Sequence, residues 1–214
     1  MRSLLIPARA GAVAPTRIVC LPGVYQAPED FLAAGFADVI ARRQLDIDLL
    51  LVDVELAHLG DSGVVARLRR GAVEPARSLG CRTIWLAGIS LGGYLALDYV
   101  SNHPGELEGV CLLAPWLGNR QLIAAMADAS RPIIGAEGDA GDGDVERRLW
   151  HFVRSPRGAL PELYLGFGHD DRFADAHRLM AHHLTADSVD VVPGGHDWRT
   201  WSALWENFLA ARFS

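Results

Sequence analysis

The stretch Thr-Ile-Trp-Leu-Ala-Gly-Ile-Ser-Leu-Gly-Gly-Tyr-Leu-Ala-Leu-Asp-Tyr, residues 83–99, indicates how the rest of the chain folds. Its first half is an apolar run typical of a strand buried on both faces, and its second half contains no helix breaker. Ser90 lies between them in a Gly-x-Ser-x-Gly motif, at the predicted turn from strand to helix. Gly88 and Gly92 suit so sharp a turn, because a Cβ there would collide with the crossing strand and helix. The turn would lift the Ser90 hydroxyl above the sheet beside the positive end of the helix. The alternative is a glycine-rich turn with an incidental serine.

Strand and helix patterns alternate along the rest of the chain. Apolar runs typical of strands occupy residues 17–21, 47–54, 107–114, 162–166 and 189–192. Amphipathic helical patterns occupy residues 28–40, 64–79, 122–129, 145–153, 173–184 and 198–212. We expect Pro75 to kink or split its helix, and residues 1–14 to form a loop or an edge strand. The alternation predicts an α/β fold, a three-layer sandwich whose mostly parallel sheet carries helices on both faces. No repeat or second domain is evident, so residues 1–214 are expected to form one domain.

Composition narrows the classes of protein that fit. The 214 residues are 50% hydrophobic and 21% charged, which excludes a disordered chain. A formal net charge of −6 argues against nucleic acid or an anionic membrane as partner. No apolar run is long enough to span a membrane. Three scattered cysteines fit neither a disulfide framework nor a zinc site, so we expect a reducing compartment and a cytoplasmic protein. Nothing in the sequence implies an organic cofactor or a metal.

Residues with useful chemistry follow successive predicted strands. Pro22-Gly23, Ser90, Trp116, Asp171 and His196 each lie just past a strand, and the carboxyl ends of parallel strands meet at one edge of a sheet. A serine hydroxyl becomes nucleophilic when an imidazole takes its proton, and a carboxylate fixes and stabilises that imidazole. The chain order serine, aspartate, histidine is one that this chemistry uses.

Three segments together resemble the α/β-hydrolase family, specifically small bacterial members with little or no cap domain. They are Gly-Ile-Ser-Leu-Gly-Gly from Gly88, Gly-His-Asp-Asp-Arg-Phe from Gly168 and Gly-Gly-His-Asp-Trp from Gly194. The resemblance covers nearly the whole chain, from Leu21 to the last helix. It implies a catalytic triad of Ser90, Asp171 and His196, and a minimal cap at about residues 115–157.

The identity of the triad acid depends on register. In the family's pattern the acid lies three residues after the glycine that ends its strand, which favours Asp171 over Asp170. Asp170 would then be a solvated loop carboxylate or a helix cap. Asp197 is a further rival, but a residue next to His196 would have difficulty reaching the far nitrogen of its ring.

Acyl transfer also needs two N–H groups directed at the developing oxyanion. The backbone N–H of Leu91, at the start of the helix, is one candidate. By resemblance the second comes from the loop after the first long strand, where we favour Val24 over Tyr25. This loop has Pro22-Gly23 where the family usually has His-Gly, so the support of a histidine is missing. Alternatively, Leu-Pro-Gly only terminates the strand.

For several other residues the sequence gives weaker indications of a role at the site. Tyr25, Trp116 and Trp198 are aromatic residues at strand ends that could bury an apolar part of the substrate, or could merely cover the core. His177, His182 and His183 share a helix without the spacing of a metal pair. The acidic stretch 137–146 lacks the full pattern of a calcium loop.

These observations predict a serine hydrolase that cleaves a carboxylic ester or thioester of a small-molecule acyl substrate, as a monomer or homodimer. One alternative is an acyltransferase with the same triad, since an alcohol or amine could take the acyl group in place of water. Another is a non-catalytic binding module on the hydrolase fold.

Overall fold

The computed structural model describes residues 1–53, 63–127, 145–154 and 161–213, in which strands and helices alternate. The strands are β1 (Ser3–Ile6), β2 (Thr16–Leu21), β3 (Ile47–Val52), β4 (Thr83–Ile89), β5 (Gly109–Leu113), β6 (Glu162–Gly168) and β7 (Val189–Val192). The α-helices are α1 (Pro28–Ala33), α2 (Phe36–Arg42), α3 (Gly63–Leu68), α4 (Glu74–Ser78), α5 (Leu91–Asn102), α6 (Arg120–Ala127), α7 (Val145–Arg154), α8 (Ala174–Ala181) and α9 (Trp198–Arg212).

The seven strands form one sheet in the order β1-β3-β2-β4-β5-β6-β7. All neighbouring pairs are parallel except β1 and β3, which pair antiparallel at the edge. The predicted fold class is therefore confirmed, and so is the edge strand near the start of the chain. The parallel arrangement directs the carboxyl ends of β2, β4, β5, β6 and β7 to the same edge of the sheet.

Helices cover the sheet and bury its central strands. Helix α5 contacts β2, β4 and β5 and packs against α7, whereas α9 contacts β5, β6 and β7 and packs against α2. Every residue of β3 and β5 is buried, as expected for the apolar run of β5 and for β3, in which Asp48 is the one polar residue. On the α9 side the core is aromatic: Trp85 of β4 meets Phe208, and Trp205 stacks on Phe36.

Two helical predictions change in detail. The pattern over residues 28–40 forms two helices, because Gly35 adopts a left-handed backbone (φ 81°) that ends α1 and begins α2. The pattern over residues 64–79 is split as expected. A π-helical turn at Arg69–Val73 separates α3 from α4, and Pro75, which lacks an N–H, lies in the first turn of α4.

The predicted minimal cap remains a prediction. Residues 128–144 and 155–160 lie outside the described residues, and they include most of the acidic stretch 137–146. In the described part α7 is joined to the core by an ion pair between Arg148 and Asp98 (2.7 Å). The indole N–H of Trp150 also donates to the Leu117 carbonyl (2.9 Å). None of the helices in the described ranges combines the length and the apolar character needed to cross a membrane.

A buried ion pair fixes the connection between β1 and β2. The guanidinium of Arg17 donates to the carboxylate of Asp48 over 2.9 Å, and the two side chains are 4% and 1% exposed. The same carboxylate accepts hydrogen bonds from the backbone N–H groups of Ala8 (3.0 Å) and Ala14 (3.2 Å). Asp48 therefore anchors a loop that has no secondary structure of its own.

We expect Arg17→Met to lower the free energy of unfolding by about 3–5 kcal/mol, because it leaves the Asp48 carboxylate buried without its cation. Arg9→Met is the matched control. Arg9 pairs with Asp46 at the surface, where such a pair contributes less than about 1 kcal/mol. Urea unfolding of both variants provides the measurement, and equal effects would contradict the role given to the buried pair.

Candidate active site

The turn between β4 and α5 holds Ser90 in a strained conformation. Its backbone has φ 51° and ψ −110°, a region that non-glycine residues rarely adopt. Two hydrogen bonds maintain this geometry: the Ser90 N–H donates to the Leu113 carbonyl, and the Ser90 carbonyl accepts from the Trp116 N–H, both over 2.9 Å. The end of β5 therefore fixes the position of the serine.

Glycines on both sides of Ser90 make this turn possible. A Cβ on Gly92 would lie 2.1 Å from the carbonyl oxygen of Leu21, at the end of β2. A Cβ on Gly88 would lie 2.2 Å from the carbonyl oxygen of Gly92. Both distances are far shorter than a van der Waals contact, so the close crossing of strand and helix requires glycine at these two positions.

The structure brings Ser90, Asp171 and His196 together from the loops that follow β4, β6 and β7. The Oγ atom of Ser90 lies 3.0 Å from Nε2 of His196. Nδ1 of the same ring lies 2.7 Å from Oδ2 of Asp171. A neutral imidazole that carries its proton on Nδ1 would donate to the carboxylate and accept from the serine hydroxyl. The arrangement has the geometry of a nucleophile, a general base and an orienting acid.

The Asp171 carboxylate is fully buried. Burial opposes ionisation, but hydrogen bonds from His196 and from the Phe173 N–H (2.8 Å) outweigh it, and the pKa of Asp171 lies below its ordinary value. The carboxylate is therefore charged at neutral pH. It can stabilise an imidazolium that forms when His196 takes a proton.

The two rival carboxylates bind elsewhere. Asp170 is exposed and lies 2.8 Å from Nδ1 of its neighbour His169. Asp197 is the N-cap of α9, where its Oδ1 accepts from the N–H (3.0 Å) and the hydroxyl (3.1 Å) of Thr200. Among the described residues, the His196 ring is hydrogen-bonded to Asp171 and Ser90 and to neither of these two carboxylates.

Two aromatic residues that the sequence analysis missed hold the His196 ring. Phe173 and Trp201 pack against it edge to face, with ring centroids 5.1 Å and 5.0 Å away. Each belongs to an apolar helical pattern, which gave no sign that it faces the site rather than the core. Trp198, which was singled out instead, packs against Phe31 and Trp201.

A cavity of about 390 Å³ opens at the serine and histidine. Trp116, Phe173 and Trp201 provide its aromatic surface. Val24 and Leu91 also line it, so both residues proposed for the oxyanion hole lie at the site. Tyr25 is not among the lining residues, and its side chain is 92% exposed.

Gln26 stabilises the loop after β2, and the sequence analysis gave it no role. Its side-chain Oε1 accepts from the Gly23 N–H (2.7 Å), and its own N–H donates to the Gly23 carbonyl (3.3 Å). The Gly23 N–H is thus occupied, whereas no acceptor within the described ranges binds the N–H of Val24. Leu91 is the first residue of α5, so its N–H has no acceptor within the helix. These two N–H groups are available for an oxyanion.

His177 lies behind the site on α8 and is completely buried. Its Nε2–H donates to the carbonyl of Pro115 over 2.8 Å, next to the residue whose N–H binds Ser90. Burial lowers the pKa of His177 to about 4, so the ring is neutral at pH 7. No cluster of three or more metal-ligating side chains occurs in the described part of the chain.

No protein-family model matches the chain. An acetyl esterase from Caldicellulosiruptor saccharolyticus is 26% identical over an alignment of 133 residues, and the match covers 55% of this chain and 50% of the esterase. The chain thus spans about half the length of the curated relative it matches.

Solved structures match over nearly the whole chain. Serine hydrolase FphF from Staphylococcus aureus, which binds fluorophosphonates, has a TM-score of 0.70 at 11% identity, covering 97% of this chain and 90% of its own. Est1E from Butyrivibrio proteoclasticus, solved with ferulic acid bound, has a TM-score of 0.63 at 14% identity, covering 98% and 94%. A monoacylglycerol lipase from Paleococcus ferrophilus has a TM-score of 0.60 at 12% identity, covering 96% and 98%. The chain has the α/β-hydrolase fold, as the sequence resemblance implied.

The buried neutral His177 makes the stability depend on pH. Its pKa of about 4 lies below the value of about 6.5 expected in the unfolded chain, so the unfolded state binds more protons between these values. Its contribution is complete above about pH 6.5 and is lost as the pH falls to about 4, by on the order of 3 kcal/mol.

We expect His177→Gln, which can still donate to Pro115, to remove this part of the pH dependence. His182→Gln replaces an exposed histidine of the same segment and should leave the slope unchanged. Urea unfolding at several pH values between 4 and 7.5 measures the slope. The same slope in wild type and His177→Gln would show that His177 does not titrate as described.

Proposed function

We propose that the protein is a serine hydrolase that cleaves a carboxylic ester or thioester through an acyl-enzyme on Ser90. One observation carries the proposal: a continuous hydrogen-bonded chain joins Ser90, His196 and the buried Asp171 at the edge of an open cavity. A buried charged acid, an imidazole and a strained serine in this order have a direct use in acyl transfer.

Each group has a definite role in the proposed reaction. Ser90 Oγ attacks the substrate carbonyl while Nε2 of His196 takes its proton. The N–H groups of Leu91 and Val24 bind the oxyanion of the tetrahedral intermediate. As this intermediate collapses, the imidazolium gives its proton to the departing alcohol or thiol. Water, deprotonated by His196, then releases the acid from the serine.

The comparisons support a small ester as substrate. The curated relative is named an acetyl esterase, and the neighbouring structures include serine hydrolases and a lipase. A cavity of about 390 Å³ accommodates a small to medium acyl or alcohol group. Of the three aromatic candidates, Trp116 lines this cavity, and we assign the apolar substrate contact to it.

We further propose that the protein works in the cytoplasm. All three cysteines, Cys20, Cys81 and Cys111, are free and buried, as expected in a reducing compartment. Burial raises the pKa of the Cys20 thiol well above its ordinary value, so this group stays protonated and unreactive.

Purified protein should release p-nitrophenol from short acyl esters and react covalently with a fluorophosphonate probe. We expect Ser90→Ala to lose at least about 10⁴-fold in kcat and all labelling, because the nucleophile is gone. Ser101→Ala is the matched control, since Ser101 lies near the end of α5 and its hydroxyl donates to the Asp98 carbonyl one turn earlier in the helix. An unlabelled wild type without esterase activity would favour a binding module, and a fully active Ser90→Ala would exclude the mechanism.

Replacement of the neighbouring acids distinguishes Asp171 from Asp170. Asp171→Asn should lower kcat by about 10³- to 10⁴-fold, because the amide cannot stabilise the imidazolium. Asp170→Asn should stay within about twofold of wild type, since that carboxylate is exposed and bound to His169. Steady-state kinetics with one ester suffice for the comparison. If Asp170→Asn lowered kcat more than Asp171→Asn, the orienting acid would be Asp170.

A further inference from the structure

Arg172 is positioned at the catalytic cavity by its aromatic neighbour. It follows the triad acid Asp171 and lines the cavity together with Ser90 and His196. Its guanidinium lies over the ring of Phe173, 4.8 Å from the centroid, and Phe173 in turn packs against His196. Stacking of this kind restricts a long, flexible side chain and leaves the N–H groups at its edge free to donate.

This cation has no carboxylate partner within the described residues. None of the ion pairs found there includes Arg172, and its side chain is exposed. The neighbouring acids are already occupied: Asp170 binds His169, Asp171 binds His196 and Asp175 binds Arg178. The described residues that line the catalytic cavity include no aspartate or glutamate. Arg172 therefore presents at the site a guanidinium that forms no ion pair with the described residues.

A second, larger space continues from this point. A groove of about 720 Å³ shares Trp116, Arg172 and Phe173 with the catalytic cavity. Apolar side chains form part of its surface, among them Leu117, Ile123 and Leu179. Among the described residues that line it, the charged ones are Arg120, Arg172, Arg178 and Asp175, and Arg178 pairs with Asp175. Arg120 and Arg172 thus add positive charge to the described part of this groove, although the chain has a formal net charge of −6.

We propose that Arg172 forms an anion subsite, so that the preferred substrates are esters that carry a carboxylate on the part of the molecule lying towards this groove. The inference rests on the proposed hydrolase function and specifies its substrate class. A planar guanidinium held by stacking matches the two oxygens of a carboxylate in a bidentate pair. The apolar surface next to it suits the methylene chain of a dicarboxylic acid half-ester.

Two matched esters test the subsite: mono-p-nitrophenyl adipate, which is anionic, and its methyl ester, which is neutral. Wild type should prefer the anionic ester in kcat/KM, mainly through KM, and added salt should reduce that preference. In Arg172→Gln the ratio of kcat/KM for the anionic ester to that for the neutral one should fall about tenfold, the scale of a charge-assisted hydrogen bond. Arg172→Lys should recover part of the ratio, because it restores the charge without the planar fork.

Arg82→Gln is the control for a general effect of net charge. Arg82 is exposed and precedes β4, at the amino ends of the strands and away from the site. The Arg82→Gln variant should leave kcat/KM for both esters, and therefore their ratio, unchanged. The subsite is refuted if Arg172→Gln leaves the ratio unchanged, if it slows both esters equally, or if Arg82→Gln lowers the ratio as much.

Binding without turnover separates this proposal from the proposed function. Calorimetry with Ser90→Ala protein compares the anilide of adipic acid, which is anionic, with the methyl ester of that anilide. Tighter binding of the anionic anilide, lost in the Ser90→Ala, Arg172→Gln double variant, would support the subsite even in a protein that hydrolyses neither ester. Equal binding of both anilides would refute the subsite while leaving hydrolysis at Ser90 intact.

Discussion

The approach of two backbones without an intervening Cβ is the constraint on which this structure depends. At Gly92 the start of α5 passes the end of β2 so closely that even a methyl group would overlap the Leu21 carbonyl. This contact brings the loop that contains Val24 next to the serine turn. One glycine therefore links the two halves of the proposed oxyanion hole. The strained backbone at Ser90 persists because its N–H binds Leu113 at the end of β5 and its carbonyl binds Trp116 in the loop that follows.

A second close approach of two backbones at a glycine lies on the other side of the site. A Cβ on Gly168 would lie 2.3 Å from the carbonyl oxygen of Gly194, where the loops after β6 and β7 pass each other. The N–H of Asp170 also donates to the Gly194 carbonyl over 2.9 Å. These contacts fix the loop that carries Asp171 against the loop that carries His196. Asp171 and His196 are thus held through the main chains of their loops, and a distance of 2.7 Å separates Oδ2 of Asp171 from Nδ1 of His196.

The sequence predicted what depends on local pattern and on topology. Alternating strands and helices determine a parallel sheet, and a parallel sheet brings residues at its strand ends together whatever lies between them. The sequence did not predict which way individual side chains point. Trp198 and Trp201 are equally apolar and three residues apart on one helix, yet Trp201 contacts His196 and lines the cavity. That choice depends on how α9 is rotated against Phe36 and Phe31, which no local pattern contains.

Two further features of the structure could not be predicted from the sequence for similar reasons. The break between α1 and α2 depends on a positive φ at Gly35, a conformation that glycine permits but does not require. Gln26 replaces the support that the loop after β2 was expected to lack, through a hydrogen bond to Gly23 that only the folded loop creates. The sequence shows which residues are chemically able to act, whereas packing selects those that do.

The wide separation of the central pair along the chain has a consequence for biosynthesis. The hydroxyl of Ser90 and the imidazole of His196 are 106 positions apart, and the strands that present them are separated in the sheet by β5 and β6. In the proposed mechanism, a nascent polypeptide that has emerged only as far as α5 contains Ser90 but lacks the base assigned to it. The serine would then become nucleophilic only after the loop that follows β7 has been synthesised and folded, so acylation of the incomplete chain on the ribosome is not expected.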